Sequence, residues 1–598
     1  MKRILCAALV AAALCIPTPA ATQPLELKLA RVLSWQKKYD ESIERYRSYL
    51  SSHPGDLTAR LELGDVCFWT KRYECAREEY GRAGKNPKFA AASEKRLAAL
   101  AEAEGDLKMS EEYLRRLLAV DPANIDARLK LARTLSYERR YAEAISEFDA
   151  AIAADPGNAA ALSERADVLS WEERYAESVE GYDASLAIRF DPEVARQKAR
   201  VLGWWKKYGR AIEAYDDAYA KSKIEGIALE RDGKEAFWNR WVLTSIERYR
   251  ALLEAEPKNV EARFDLGQVE GFQRMWADAA GDFGQTHKEQ PWHFRAEDSL
   301  EKVELMRSKR LFVPYANWLY ARSDSRDTHI KRFGAGARLS QPVADHAELT
   351  AGYSFDDFFF TDASSIPRHQ GRIGAVGWLS PWISADASFL PTGYPSDGRM
   401  SWLWEGSVSA RPIDPLLFTA FTRRDDLTNQ RIVFDKRLRT TDAGANLRAD
   451  VHRRWVSSVD FQYSWLNDSN SRTGAGASQL VYLSYEPYRL TLDARFDFFT
   501  FRNWTTDYWS PQNYWSTSGT LHWRHYFNPH GMYFGALERY WGVQYRFQID
   551  RGLFPFNGGA AEFHYDFNRR VGIHIEARGG RSSVYYDFGS DLRLTARF

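Results

Sequence analysis

Apolar positions along this chain of 598 residues follow two periods, and the change falls near residue 310. Before it, small residues return every 34 positions with a single step of 33: Ser42, Ala76, Ser110, Ala144, Ser178, Ala211, Ser245 and Ala279. Four residues after each stands a large apolar side chain, from Tyr46, Tyr80 and Leu114 to Phe283. Three before it stands another, from Tyr39 and Tyr73 to Trp276. One helical turn further back runs a column of Trp35, Trp69, Ala103, Tyr137, Trp171, Trp204, Trp238 and Phe272. A repeat of this length with helical spacing inside it predicts helix–turn–helix units whose neighbours bury one another. Prolines such as Pro54, Pro87, Pro122, Pro156, Pro192, Pro257 and Pro291 are expected to close the second helices, because proline cannot donate to the helical ladder. Eight units are visible. The third, with Ala103, Leu107 and Leu114, is expected to be the weaker joint.

From Leu311 to Phe598 the period is two. Asp591 to Phe598 puts Leu592, Leu594, Ala596 and Phe598 on one face and Asp591, Arg593, Thr595 and Arg597 on the other. Polar turns at Gln341-Pro342, Ser380-Pro381, Pro412 to Pro415, His452 to Arg454, Glu486-Pro487, Asn528 to Gly531 and Asn568 to Arg570 divide the strands. Longer connections at 361–368, 425–436 and 500–513 alternate with them. Short turns on one side and long loops on the other predict a closed antiparallel transmembrane barrel of about sixteen strands, with fourteen as the alternative because 532–550 is hard to divide. Trp378, Trp382, Trp402, Trp404, Trp455, Trp465, Trp515, Trp523 and Tyr540 are expected to form interfacial girdles. A soluble sandwich or propeller would carry polar outer faces and fewer aromatics. The fold class is thus an α-solenoid followed by a β-barrel.

If the apolar face meets lipid, the other lines a lumen. The lumen-lining candidates are Glu405, Asp442, Arg448, Asp450, Asp460, Asp493, Arg495, Asp497, Arg524, Arg546, Glu562, Asp566, Glu576, Arg578 and Arg593. Acids and bases are mixed, which suits water and hydroxyl-rich polymers rather than one sign of ion. For any single residue, ion-paired wall filling is the competing role. On the repeats, Lys37, Lys38, Arg139 and Arg140 are candidates for partner contact.

Composition changes this picture little. Net charge is +1, so no global field favours nucleic acid. Lys2 and Arg3 precede an apolar run at 4–16, with small residues at Ala20 and Ala21, the pattern of a signal peptide over 1–20. The expected domains are then 21–310, helical and periplasmic, and 311–598, the barrel. No later stretch reads as a transmembrane helix, so a membrane form must use strands. Cys67 and Cys75 stand eight apart and are read either as a disulfide between adjacent helices or as two buried thiols. No cofactor, metal or catalytic set is expected. His574, Glu576 and Arg578 alternate on one strand face and His564 lies on a neighbouring strand, without a nucleophile or metal pattern beside them.

The 34-residue register resembles the tetratricopeptide repeat, and a C-terminal aromatic closing an alternating strand resembles the assembly signal of bacterial outer-membrane barrels. The fused order resembles exopolysaccharide exporters of the poly-N-acetylglucosamine porin and cellulose export type. Ala30-Arg31-Val32-Leu33-Ser34-Trp35 and Ala199-Arg200-Val201-Leu202-Gly203-Trp204 are similar to repeats of the YaiO-type barrel family. The resemblance implies polymer export through the outer membrane, with the repeats binding polymer or synthesis proteins. A scaffold anchored by its barrel is the alternative. Residues 292–310, with Glu301, Lys302, Arg307, Lys309 and Arg310, are expected to join the two regions and direct the array toward the pore.

Overall fold

The computed structural model describes residues 25–291, 293–323, 328–362, 364–428, 430–527, 533–553 and 555–598. The expected signal peptide, Trp292 and the whole turn Asn528 to Gly531 lie outside them. Helices come first: α1 (Leu25–Trp35), α2 (Tyr39–Ser52), α3 (Leu57–Trp69), α4 (Tyr73–Gly84), α5 (Pro87–Glu104), α6 (Leu107–Val120), α7 (Ile125–Tyr137), α8 (Tyr141–Ala154), α9 (Ala159–Trp171), α10 (Tyr175–Ile188), α11 (Pro192–Trp204), α12 (Tyr208–Ser222), α13 (Glu225–Trp238), α14 (Val242–Ala255), α15 (Val260–Phe272), α16 (Trp276–Glu289) and α17 (Phe294–Ser308).

The local chemistry explains these bounds. Asp56, Asn124, Asn158 and Asn259 cap first helices, each accepting a 3.0 Å bond from the backbone N–H three residues on. Pro87 and Pro192 do not close second helices as expected. They sit at the first position of α5 and α11, where a missing N–H costs nothing. The small column works as anticipated: Ser42 and Ser178 donate to the carbonyls of Ala30 and Ala166 at 2.8 and 2.7 Å, joining the helices at closest approach. The large side chain four residues on fills a matching gap. A Cβ on Gly64 would come within 2.4 Å of the Tyr80 ring. In the third unit Ala98 and Leu114 take these two places and both are buried, a smaller ring-free pair rather than a void.

The chain forms two compact units, one up to Ala214 and one from Tyr215 on. The division falls inside α12, so the last helices belong with the strands rather than with the upstream repeats.

The strands are β1 (Leu311–Ser323), β2 (Thr328–Ala344), β3 (Ala347–Phe360), β4 (Ser365–Ser380), β5 (Ile383–Tyr394), β6 (Arg399–Ala410), β7 (Leu416–Asp426), β8 (Arg439–His452), β9 (Trp455–Leu466), β10 (Ser471–Tyr482), β11 (Tyr488–Phe501), β12 (Tyr514–Tyr526), β13 (Arg539–Asp550), β14 (Phe556–Asp566), β15 (Val571–Arg581) and β16 (Tyr585–Arg597). Each pairs antiparallel with its sequence neighbours, and β1 pairs with β16 from Leu311↔Arg597 to Ser323↔Tyr585, which closes the barrel at sixteen strands. The region 532–550 that left fourteen open holds one strand, β13. The first short turn is at 345–346, not Gln341-Pro342, which lies within β2. A short helix, α18 (Arg431–Asp435), interrupts the connection between β7 and β8.

Closure leaves one face outside. Phe333, Ile373, Phe389, Trp402, Val459, Phe461, Phe496, Phe563, Ile575 and Leu592 are exposed there. Each strand is hydrogen-bonded to a neighbour on both sides, so the sheet has no free edge. A closed barrel with an apolar, aromatic exterior is a membrane-spanning barrel. Two residues expected in the girdles are not. Trp378 and Tyr540 are buried, on the opposite face.

Candidate functional site

Strand register decides which residues face inward. Glu562 stands opposite Glu576, which stands opposite Asp591, whereas Phe563, Ile575 and Leu592 align on the outer face. By the same alternation all the lumen-lining candidates named from the sequence lie on the inner face. Most of them are paired. Arg495 bridges Asp460 at 3.0 Å and Asp497 at 2.6 Å. Arg524 and His522 both reach Glu562, at 2.5 and 2.7 Å. Arg448 pairs with Asp450 at 2.8 Å, His564 with Asp566 at 3.3 Å, and Arg593 with Asp591 at 2.6 Å. Arg578 stands 3.9 Å from Glu576, and Arg546 donates to Gln548 at 2.7 Å. One oxygen of Asp493 is buried without a partner. Partners missed in the sequence complete the wall. Arg372 meets Glu405 at 2.5 Å and Arg423 meets Asp442 at 2.7 Å. Their period-two spacing is the same signal that marked the acids. The wall is polar and ion-paired, some pairs running along one strand, as Arg593 with Asp591, and others between strands, as Arg495 with Asp460.

The polar wall stops short of one end. At the end away from Leu311, the inward side chains Phe358, Phe360, Ile366, Tyr394, Leu466 and Phe501 gather around Val433 and Phe434 of α18. The β7–β8 loop therefore folds into the barrel. Arg399 donates to the Phe434 carbonyl at 3.2 Å and stacks 3.8 Å above the Tyr394 ring. Tyr394 donates to Asp426 at 2.9 Å, Arg431 to Ser364 at 2.8 Å, and Lys436 pairs with Asp507 of the β11–β12 loop at 2.5 Å. Reading the inner face as uniformly polar overlooked this apolar closure, because in a loop neither period signals an inward turn.

At the other mouth the last helices dock on the strand turns. Between α13 and α14, Arg240 donates to Asp450 at 3.1 Å and to the carbonyls of His452 and Arg453, while Trp241 Nε1 donates to the Asp450 carbonyl at 2.8 Å. The turn before β13 sends Phe534 among Phe272, Trp276 and Phe283, with ring centroids 5.6, 5.9 and 6.3 Å away. Its backbone N–H donates to Gln268 Oε1 at 2.6 Å. Of the junction residues, Glu301 pairs with Arg569 at 2.6 Å and Arg307 with Asp345 at 2.7 Å. Lys302 lies 4.9 Å over the Phe534 ring, where burial pushes its amine below the usual range. Arg310 exchanges backbone bonds of 3.1 Å with Phe598 and donates to Gln341.

Among the helices an ionic ladder links successive units at a spacing of 31: Arg31 to Glu62 at 2.9 Å, Asp65 to Arg96 at 2.8 Å, Arg133 to Glu164 at 2.6 Å and Lys234 to Asp265 at 2.7 Å. The alternation of sign was visible in the sequence but only at that offset. Cys67 and Cys75 are joined as a disulfide, their Cα atoms 5.9 Å apart.

This geometry meets a family description in the first unit. The tetratricopeptide repeat model matches residues 27–94, 95–159 and 129–194. These residues are tetratricopeptide repeats. The later helix pairs continue the repeats in structure, and the whole chain joins them to a sixteen-stranded barrel. Comparison with curated proteins by sequence finds no match. Among solved structures, a bacterial polysaccharide outer membrane secretin is 12% identical, with 49% of this chain and 99% of that one covered at a TM-score of 0.41. A tetratricopeptide repeat protein from Parabacteroides merdae is 14% identical, covering 47% and 97% at 0.34. The MamA protein is 17% identical, covering 27% and 90% at 0.26.

Proposed function

We propose that the chain is a passive exporter of a polysaccharide across the bacterial outer membrane, with the repeats on the periplasmic side. The observation that carries this reading is the docking of the last repeats on one mouth of a barrel whose wall is polar and charge-paired. A paired wall offers hydroxyl groups many donors and acceptors without trapping either sign of ion. The upstream repeats then receive polymer or the proteins that synthesise it. Energy comes from synthesis elsewhere, since the sequence carries no phosphate-cradling glycine loop. Deleting the gene and measuring surface polysaccharide tests the reading. Secretion should fall, and unchanged secretion rejects it.

The filled distal end favours a second reading, in which the barrel is a closed anchor and the repeats a scaffold. Conductance in planar bilayers separates the two. An exporter opens when the β7–β8 loop is removed, whereas an anchor stays shut.

A further inference from the structure

At the proximal mouth a cavity of about 370 Å³ lies between the α15–α16 turn and the inner wall of β4 to β7. Phe272, Arg274, Trp378, Trp382, Ser384 and Arg411 line it. Its composition is specific: flat rings, serine hydroxyls and two guanidinium groups. Arg411 is held between Asp414 and Asp450, 3.6 Å from each. Arg274 is different. It lies 5.2 Å over the Trp378 ring and only 3.8 Å from Glu348, with about half of its side chain exposed. It also holds a left-handed backbone, φ 61°, which a side chain adopts at a cost.

Arg274 follows Phe272 by two residues, and that arrangement recurs upstream. Trp35 precedes Lys37 and Trp69 precedes Lys71, each lysine at φ 59°, and Tyr137 precedes Arg139 at φ 62°. Trp35 is 78% and Trp69 57% exposed. Glycine would suit each left-handed position better, and only the third unit uses it, at Gly105. A strained cation two residues after an exposed ring, in the first, second, fourth and eighth units, fits a partner that itself repeats, whereas the fifth unit carries Glu173 there.

We propose that the cavity is a subsite for a carboxylate-bearing pyranose unit, and that the ring–cation pairs at Trp35/Lys37 and Trp69/Lys71 offer the same polymer equivalent stations. Pyranose C–H faces stack on the rings, the hydroxyls meet the serines, and the carboxylate meets Arg274 or a lysine amine. This rests on the export reading and names its substrate class as acidic.

The full chain in detergent is titrated with alginate oligomers, a polyuronate, and with neutral cello-oligomers, by calorimetry. Alginate should bind and the neutral oligomers should bind at least tenfold more weakly. R274G, whose glycine suits the backbone, should lower alginate affinity several-fold, as should W382A. W35A with K71G should reduce the number of oligomers bound. Equal affinity for neutral and acidic oligomers overturns the assignment, as does unchanged binding in R274G and W382A. Lost secretion on gene deletion together with either result sinks this inference alone, whereas unchanged secretion sinks the export reading alone.

Discussion

At the scale of single residues, one hydroxyl or one left-handed backbone sets how a repeat closes. Ser178 is buried and its bond to the Ala166 carbonyl is one of the contacts between α9 and α10, beside that of Ser185 with the Ala159 carbonyl. Ser178→Ala should cost about 1 kcal/mol, read by denaturant unfolding of the upstream unit. Lys71→Gly should do the opposite and stabilise by about 0.5–1 kcal/mol, because φ 59° suits glycine. A destabilised K71G would mean that the lysine side chain holds the turn. Glu270 offers a pH test. It is buried on α15, burial first and Asp282 second raise its carboxyl, and Asp282 is raised as well. A folded carboxyl raised above its unfolded value stays protonated while the unfolded chain ionises. Stability from this pair is therefore greatest at low pH and is lost as pH rises above about 4.5. Glu270→Gln should flatten the fall in thermal midpoint between pH 5 and pH 8, and an equally steep fall would reject the assignment.

At the scale of elements, α18 is five residues long and could not hold its shape alone. Its position comes from Phe434 among Phe358, Phe360 and Tyr394, with Arg399 donating to the Phe434 carbonyl. Phe434→Asp places a charge in that apolar cluster and should release the loop. Single-channel conductance is expected to rise several-fold over the unaltered chain, with barrel assembly retained because β7 and β8 keep their own ladder. Unchanged conductance would favour the reading of the barrel as a closed anchor. The element that was easiest to read from sequence, the strand, is the one whose side chains alternate against a fixed outside. The element that was missed, this inward loop, has no period to betray it.

At the scale of the whole second unit, the Phe534 turn couples repeats to barrel. Its ring occupies the space over Gly271, where a Cβ would come within 2.9 Å. Phe534→Ala removes a buried aromatic and should loosen α15 to α17 by about 3–5 kcal/mol. Hydrogen exchange in 260–308 should rise sharply while exchange in the strands stays slow. Equal protection in the variant would show that the salt bridges of Arg569 and Arg307 suffice.

What residue order determined by itself is what depends on periodicity: the 34-residue register, the change to period two near residue 310, and the inward set from Glu405 to Arg593. Each follows from side chains that must repeat at the pitch of a helix or a strand to stay buried or solvated. The tertiary structure alone decided the rest. It paired the inner charges along and between strands, turned Trp378 and Tyr540 inward, folded α18 into the lumen, exposed Trp35 and Trp69, and gave the last repeats to the barrel. These are contacts between segments far apart in the chain, such as Arg240 with Asp450, and they depend on which surfaces meet rather than on any local period.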